Sequence, residues 1–174
     1  MTDIERDQLI KNIFLSEIDY QIIKDRLDVL KSKPTLTSDE TSESADYEKK
    51  LQHDKDVIAV WIGKIKEDIP LFDLSDSSIL DKRKTILDSV EIEQTKERDH
   101  INNVEIPNLN KYKIVEDEVC ELRKMLGIWQ TDVDEISRSE YEAQIKSLTE
   151  RLADKTIRLD ILTRLKGVSS TWLL

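Results

Sequence analysis

Glycine is nearly absent from this chain, with three in 174 residues, at 63, 127 and 167; proline is equally rare, at 34, 70 and 107. Short strands joined by tight turns need glycine and Asn-Gly pairs, so the composition argues against a β-rich fold. Three scattered glycines also cannot build a loop whose successive amides cradle phosphate, which removes the glycine-rich nucleotide motifs. Cysteine occurs once, at Cys120, so neither an internal disulfide nor a cysteine-based zinc cluster is available, in keeping with a reducing compartment. The longest apolar-rich run, VIAVWIG at 57–63, falls far short of the roughly 20 residues needed to span a bilayer. The opening MTDIERDQLI lacks the basic and then apolar regions of a secretory signal. A soluble, intracellular protein without a membrane anchor is expected.

Positive charge is in deficit too. The formal net charge is −10, and runs such as Lys82-Arg83-Lys84 sit among acids. Binding a phosphate backbone relies on clustered lysine and arginine, so no nucleic-acid partner is expected. The residues of catalysis are equally sparse. His53 and His100 are isolated on predicted helices, and no His-Glu-x-x-His spacing exists. Glu116, Asp117 and Glu118 are consecutive, and helical neighbours point about 100° apart, so they form a solvated face and not a carboxylate dyad. Cys120 follows Val119 beside an apolar seam and reads as a small flanking hydrophobe. No catalytic, cofactor-binding or metal-ligating residue is assigned, and no enzyme activity is expected.

What is abundant is charge, at 37% against about 25% for an ordinary domain, interleaved with leucine, isoleucine and valine at helical spacing. The prediction is an all-α chain of elongated helices forming a heteromeric coiled coil, with short breaks marked by proline. Thr2-Asp3-Ile4-Glu5 has the form of a capping box and starts a helix over 1–31, which stops before Pro34. Leu9, Ile13, Tyr20, Ile23, Leu27 and Leu30 make one seam of this helix. Ile10, Phe14, Ile18 and Ile22 make a second, and a stripe this wide predicts more than one neighbouring helix. The Ser/Thr-rich, acidic stretch 32–48 reads as a flexible loop whose serines are candidate phosphorylation sites.

Two helices follow over 44–106, broken at 70–75 at the start of PLFDLSDSS, residues 70–78. In the first, Leu51, Ile58, Ile62, Ile65 and Ile69 repeat as a heptad, with Trp61 widening the stripe towards a second partner. In the second, which ends before Pro107, the seam of Leu80, Leu87, Val90, Ile101 and Val104 also holds Arg83, Gln94 and Glu97. Polar residues in a seam weaken it while fixing register and partner. A closed bundle would have no reason to bury these three without partners.

The stretch 108–166 is the most regular. Tyr112, Val115, Val119, Leu122, Leu126, Trp129, Val133 and Ile136 alternate by three and four, the spacing of a coiled coil. The phase shifts near 137–141, by a stutter or a helix break, and Tyr141, Ile145, Leu148, Leu152, Leu159 and Leu162 continue as a new seam. Arg164 and Lys166 then suit the negative end of a helix, and Gly167 reads as its left-handed stop. Residues 167–174, with Val168, Trp172, Leu173 and Leu174, form an apolar docking tail whose removal is expected to weaken assembly. The partner interface is expected to comprise the seam from Tyr112 to Ile136, then Ile145, Leu148, Leu152, Leu159 and Leu162, and Val168 and Trp172 of the tail.

The stretch LDILTRLKGVSSTWLL, with Leu159, Leu162 and Leu165 before Gly167, Val168 and Trp172, resembles the end of the centromere protein H family of fungal inner-kinetochore subunits. Family members often place Asn-Trp close behind the glycine, where this chain has Ser169-Ser170-Thr171. The resemblance implies a nuclear subunit of the constitutive centromere-associated network, acting in chromosome segregation. It would pair with a centromere protein K relative and dock a helical-repeat protein related to centromere protein I. A spindle-pole or vesicle-tethering coiled coil, and an autonomous helical bundle binding a small ligand, are the alternatives.

Overall fold

The computed structural model describes residues 1–128 and 131–168. Among these, every regular element is helical: α1 (Asp3–Lys31), α2 (Ser38–Asp68), α3 (Ser77–His100), a π-helical turn (Ile101–Glu105), α4 (Ile106–Met125) and α5 (Thr131–Lys166). The chain is all-α, as its composition predicts. Two compact units divide it, Met1–Glu91 with Arg158–Leu174, and Ile92–Ile157. No helix among the described residues is long and apolar enough to cross a membrane.

In the first unit α1 is the central element. Thr2 caps it as expected: the Thr2 hydroxyl accepts from the Glu5 amide at 3.2 Å, and the Thr2 amide donates to the Glu5 carboxylate at 2.7 Å. The apolar surface of α1 serves two clusters in succession along the helix. Ile10, Ile13 and Phe14 pack with Ile58 and Ile65 of α2, with Phe72 and Leu74 of the connection, and with Ile79 at the start of α3. Ile18 and Ile22 pack with Leu87 of α3 and with Ile161, Leu162 and Leu165 of α5. The neighbours that so wide a stripe demands are thus supplied by the chain itself. Trp61 is half-buried against the first of these clusters, so the widening it gives α2 is used internally. Within PLFDLSDSS, Phe72 and Leu74 tuck into the core, whereas Leu71 is 90% exposed.

Arg83, a polar residue of the α3 seam, is satisfied inside this unit. Its Nε donates to Glu17 Oε2 at 2.8 Å and its Nη2 to Glu17 Oε1 at 2.7 Å, in a bidentate pair. Glu17 is 0% and Arg83 6% exposed. Of the other two polar seam residues, both in the second unit, Glu97 is ion-paired with Lys155, and the Gln94 side-chain oxygen is buried without a hydrogen-bond partner among the described residues.

Three expected boundaries are overturned. The stretch 32–48 is not a loop beyond Thr37, because α2 begins at Ser38. Thr37-Ser38-Asp39-Glu40 repeats the Thr-x-x-Glu of the first helix. Its hydroxyl accepts from the Glu40 amide at 3.2 Å, and the Glu40 carboxylate accepts from the Thr37 amide at 2.9 Å. The Lys33 ammonium first, and that Thr37 amide second, hold the Glu40 carboxyl below its usual range. Thr37→Ala is expected to cost about 1 kcal/mol, read as a lower urea midpoint. A true loop would be indifferent to the change.

Pro107 does not end a helix. A proline inside an α-helix lacks an amide and drives its ring into the carbonyl four residues back. Here the turn just ahead of it is widened, with the Ile106 amide donating to the Ile101 carbonyl, so helical backbone passes from α3 into α4 with proline in the first turn of the latter.

The regular seam from Tyr112 to Ile136 does not lie on one helix. Leu126 caps α4, Gly127 takes φ +72°, and Ile128 donates to the Arg123 carbonyl at 3.0 Å while Gly127 donates to that of Lys124 at 3.1 Å. This is a Schellman stop. Residues 137–141, by contrast, are continuous helix within α5, so the phase shift there is no break. Gly167 ends α5 without left-handed geometry, contrary to expectation, and a Cβ there would meet only the Arg164 carbonyl at 3.5 Å. Gly127→Ala should therefore cost about 1–2 kcal/mol through forced left-handed backbone. Gly167→Ala should change stability by less than about 0.5 kcal/mol, and paired thermal melts separate the two.

Candidate protein interface

The second unit is built around the Gly127 turn. Lys113 of α4 lies 3.7 Å from Glu142 of α5, and Asp117 accepts from Arg138 at 2.7 Å. Moving four residues forward on α4 moves the partner four residues back on α5, which makes the two helices antiparallel. The Lys155–Glu97 pair continues in the same sense. Arg138 first, and then Lys113, holds the Asp117 carboxyl below the usual carboxylate range, and Lys155 does the same for Glu97.

These pairs fix which way α4 faces. Its buried and half-buried positions include Ile106, Leu109, Lys113, Glu116, Cys120 and Arg123, at steps of three and four, and this face turns inward. The inward face is thus mixed, apolar at Ile106, Leu109 and Cys120 and charged at Lys113, Glu116 and Arg123. The predicted apolar seam is offset from it by about one residue, or about 100° of helix, and most of it faces solvent. Tyr112, Val115, Leu122 and Leu126 are exposed, the last two at 57% and 73%, and only Val119 is half-buried. Ile114, Met125 and Ile128, none of which the heptad count singled out, add to the exposed apolar surface. Leu122 and Met125 floor a shallow groove of about 480 Å³ edged by Asp117, Glu118 and Glu121.

The remaining expected interface residues divide. Ile136 and Val168 are exposed, Ile145, Leu152 and Leu159 are half-buried, and Leu148 is buried in the second unit. Leu162 is 0% exposed in the core of the first unit, with Leu159 against the same cluster, so these two serve the chain's own packing and not a partner interface. Trp129 and Trp172 lie outside the described residues, as does the side chain of Val133. The structure therefore gathers the α4 residues into one exposed stripe and gives the α5 leucines to internal seams.

Sequence reasoning missed Glu17, although its spacing was informative. It lies four residues after Ile13 and seven after Ile10, within the buried face of α1. Gly127 was missed as well, although Arg123 and Lys124 ahead of it repeat the basic last turn noted at Arg164 and Lys166.

His53 and His100 are exposed, and His100 sits 3.6 Å from Glu105. Among the described residues no group of three or more His, Cys, Asp or Glu side chains is placed to hold a metal ion. Comparison with protein-family models, with curated proteins and with solved structures gives no match to this chain.

Proposed function

We propose that the chain is a non-enzymatic structural subunit of a multiprotein coiled-coil assembly, engaging a partner helix along α4 and a further partner through the segment that follows Val168. The observation that carries this reading is the orientation of α4: a mixed side that includes Lys113, Glu116 and Arg123 faces its own unit, and Tyr112, Val115, Leu122 and Leu126 face solvent. Covering that stripe would remove apolar surface contributing on the order of 5 kcal/mol, at about 25 cal/mol per Å². A contiguous exposed patch of this kind marks an interaction surface.

The resemblance of residues 159–174 to the centromere protein H family narrows the proposal to the inner kinetochore. In that setting the chain acts in the nucleus, paired with a centromere protein K relative and docking a helical-repeat protein related to centromere protein I. Its acidity suits contact with proteins in place of DNA. The closed core of the first unit favours one alternative, an autonomous bundle that binds a small ligand. Affinity purification from native cells, with identification of the co-purifying chains, separates the two. Coiled-coil subunits recovered in near-equal amount alongside centromere components are expected. A chain recovered alone, as a compact and cooperatively melting monomer, contradicts the proposal.

A further inference from the structure

The end of α5 is held from outside its own helix. Helix C-termini leave carbonyls without intrahelical donors, and a glycine in left-handed geometry commonly closes them. Gly167 does not adopt that geometry. Backbone amides close part of the turn, Gly167 donating to the Arg164 carbonyl at 3.1 Å and Val168 to that of Leu165 at 3.4 Å. Arg83 of α3 adds donors from another helix: Nη2 to the Leu165 carbonyl at 2.9 Å and Nη1 to the Val168 carbonyl at 3.2 Å. The same guanidinium forks onto the buried Glu17 carboxylate of α1 at 2.7 and 2.8 Å. One planar cation thus joins α1, α3 and the negative end of the α5 dipole, a geometry that a lysine ammonium cannot reproduce.

We infer that Glu17 and Arg83 form a positioning clamp that fixes the last turn of α5 as far as Val168, the point from which the chain continues towards a partner. The inference rests on the reading that the segment after Val168 docks. A buried ion pair contributes little net stability relative to apolar residues of similar volume, so stability alone does not explain its presence here. What the pair adds is specificity: the last turn of α5, through Val168, takes one position on the core only when both partners are in place.

The test uses the full-length chain carrying Glu17→Met and Arg83→Met together, a volume-conserving apolar replacement. Hydrogen exchange of the amides at 163–168 is compared with that of the Ile58–Ile65 core amides. The clamp predicts exchange at 163–168 faster by about tenfold or more, with the core amides changed by less than about twofold. Unchanged exchange at 163–168 overturns it. Should the double variant loosen the whole unit, Arg83→Lys retains the charge and stem while losing the fork. A rise confined to 163–168 then supports the clamp, and a parallel rise in the core overturns it. Partner recovery in affinity purification is measured alongside, with a truncation after Val168. Intact recovery by the truncated chain defeats the docking reading and leaves the exchange result standing on its own. Loss of recovery on truncation, with full recovery by the double variant despite faster exchange, defeats the positioning role specifically.

Discussion

Arg83→Met alone is expected to lower the unfolding free energy by about 3–5 kcal/mol, read as a drop in the urea midpoint by circular dichroism at neutral pH. Both members of the pair are buried, and removing the guanidinium strips two charge-assisted bonds from a carboxylate that is 0% exposed. It also removes the guanidinium donors to the Leu165 and Val168 carbonyls. Domains of this size have about 5–15 kcal/mol of stability in total, so the loss is a large fraction of it. Glu17→Met should cost a similar amount from the other side. Changing both together should cost far less than the two single losses combined, because neither charge is then left behind. Additive losses would show that the two residues act independently.

Two leucines that look alike in the sequence are expected to differ as strongly. Leu162→Ala should cost about 2–5 kcal/mol, because Leu162 is 0% exposed among Ile18, Ile22, Leu87, Ile161 and Leu165 and truncation leaves a cavity in that cluster. Leu122→Ala should shift the same unfolding curve by less than about 0.5 kcal/mol, since Leu122 lies in solvent at 57% exposure. Its effect belongs to the assembled state. A large loss at Leu122 in the isolated chain would mean that the α4 stripe is already covered.

The same pair of leucines shows what could be read from the chain. Heptad spacing reports where apolar residues recur, and it identified the α4 stripe and the α5 seam correctly as apolar. Spacing carries no information on whether the backbone is continuous, so a Schellman stop at Gly127 passed unnoticed inside a perfect alternation. Nor does it say whether a seam meets its own chain or another: Leu162 and Leu122 occupy equivalent positions and have opposite fates. Local capping chemistry was legible at Thr2, where composition agreed with it, and equally present at Thr37, where the Ser/Thr-rich surroundings outweighed it. Pro107 misled because the relief of its clash lies upstream, in the widened turn Ile101–Glu105. Arg83 was marked as a polar residue in an apolar seam, and the partner that answers it, Glu17, lies on another helix far away in sequence.

The most direct test of an assembly role is to place charge on the exposed stripe with Leu122→Asp and Leu126→Asp together, and to compare the purified chain and its co-purifying partners with the wild type. The predicted result is a chain with unchanged helix content and an unchanged melting curve that no longer recovers its coiled-coil partner. Full recovery of the same partners by the doubly charged variant would contradict it.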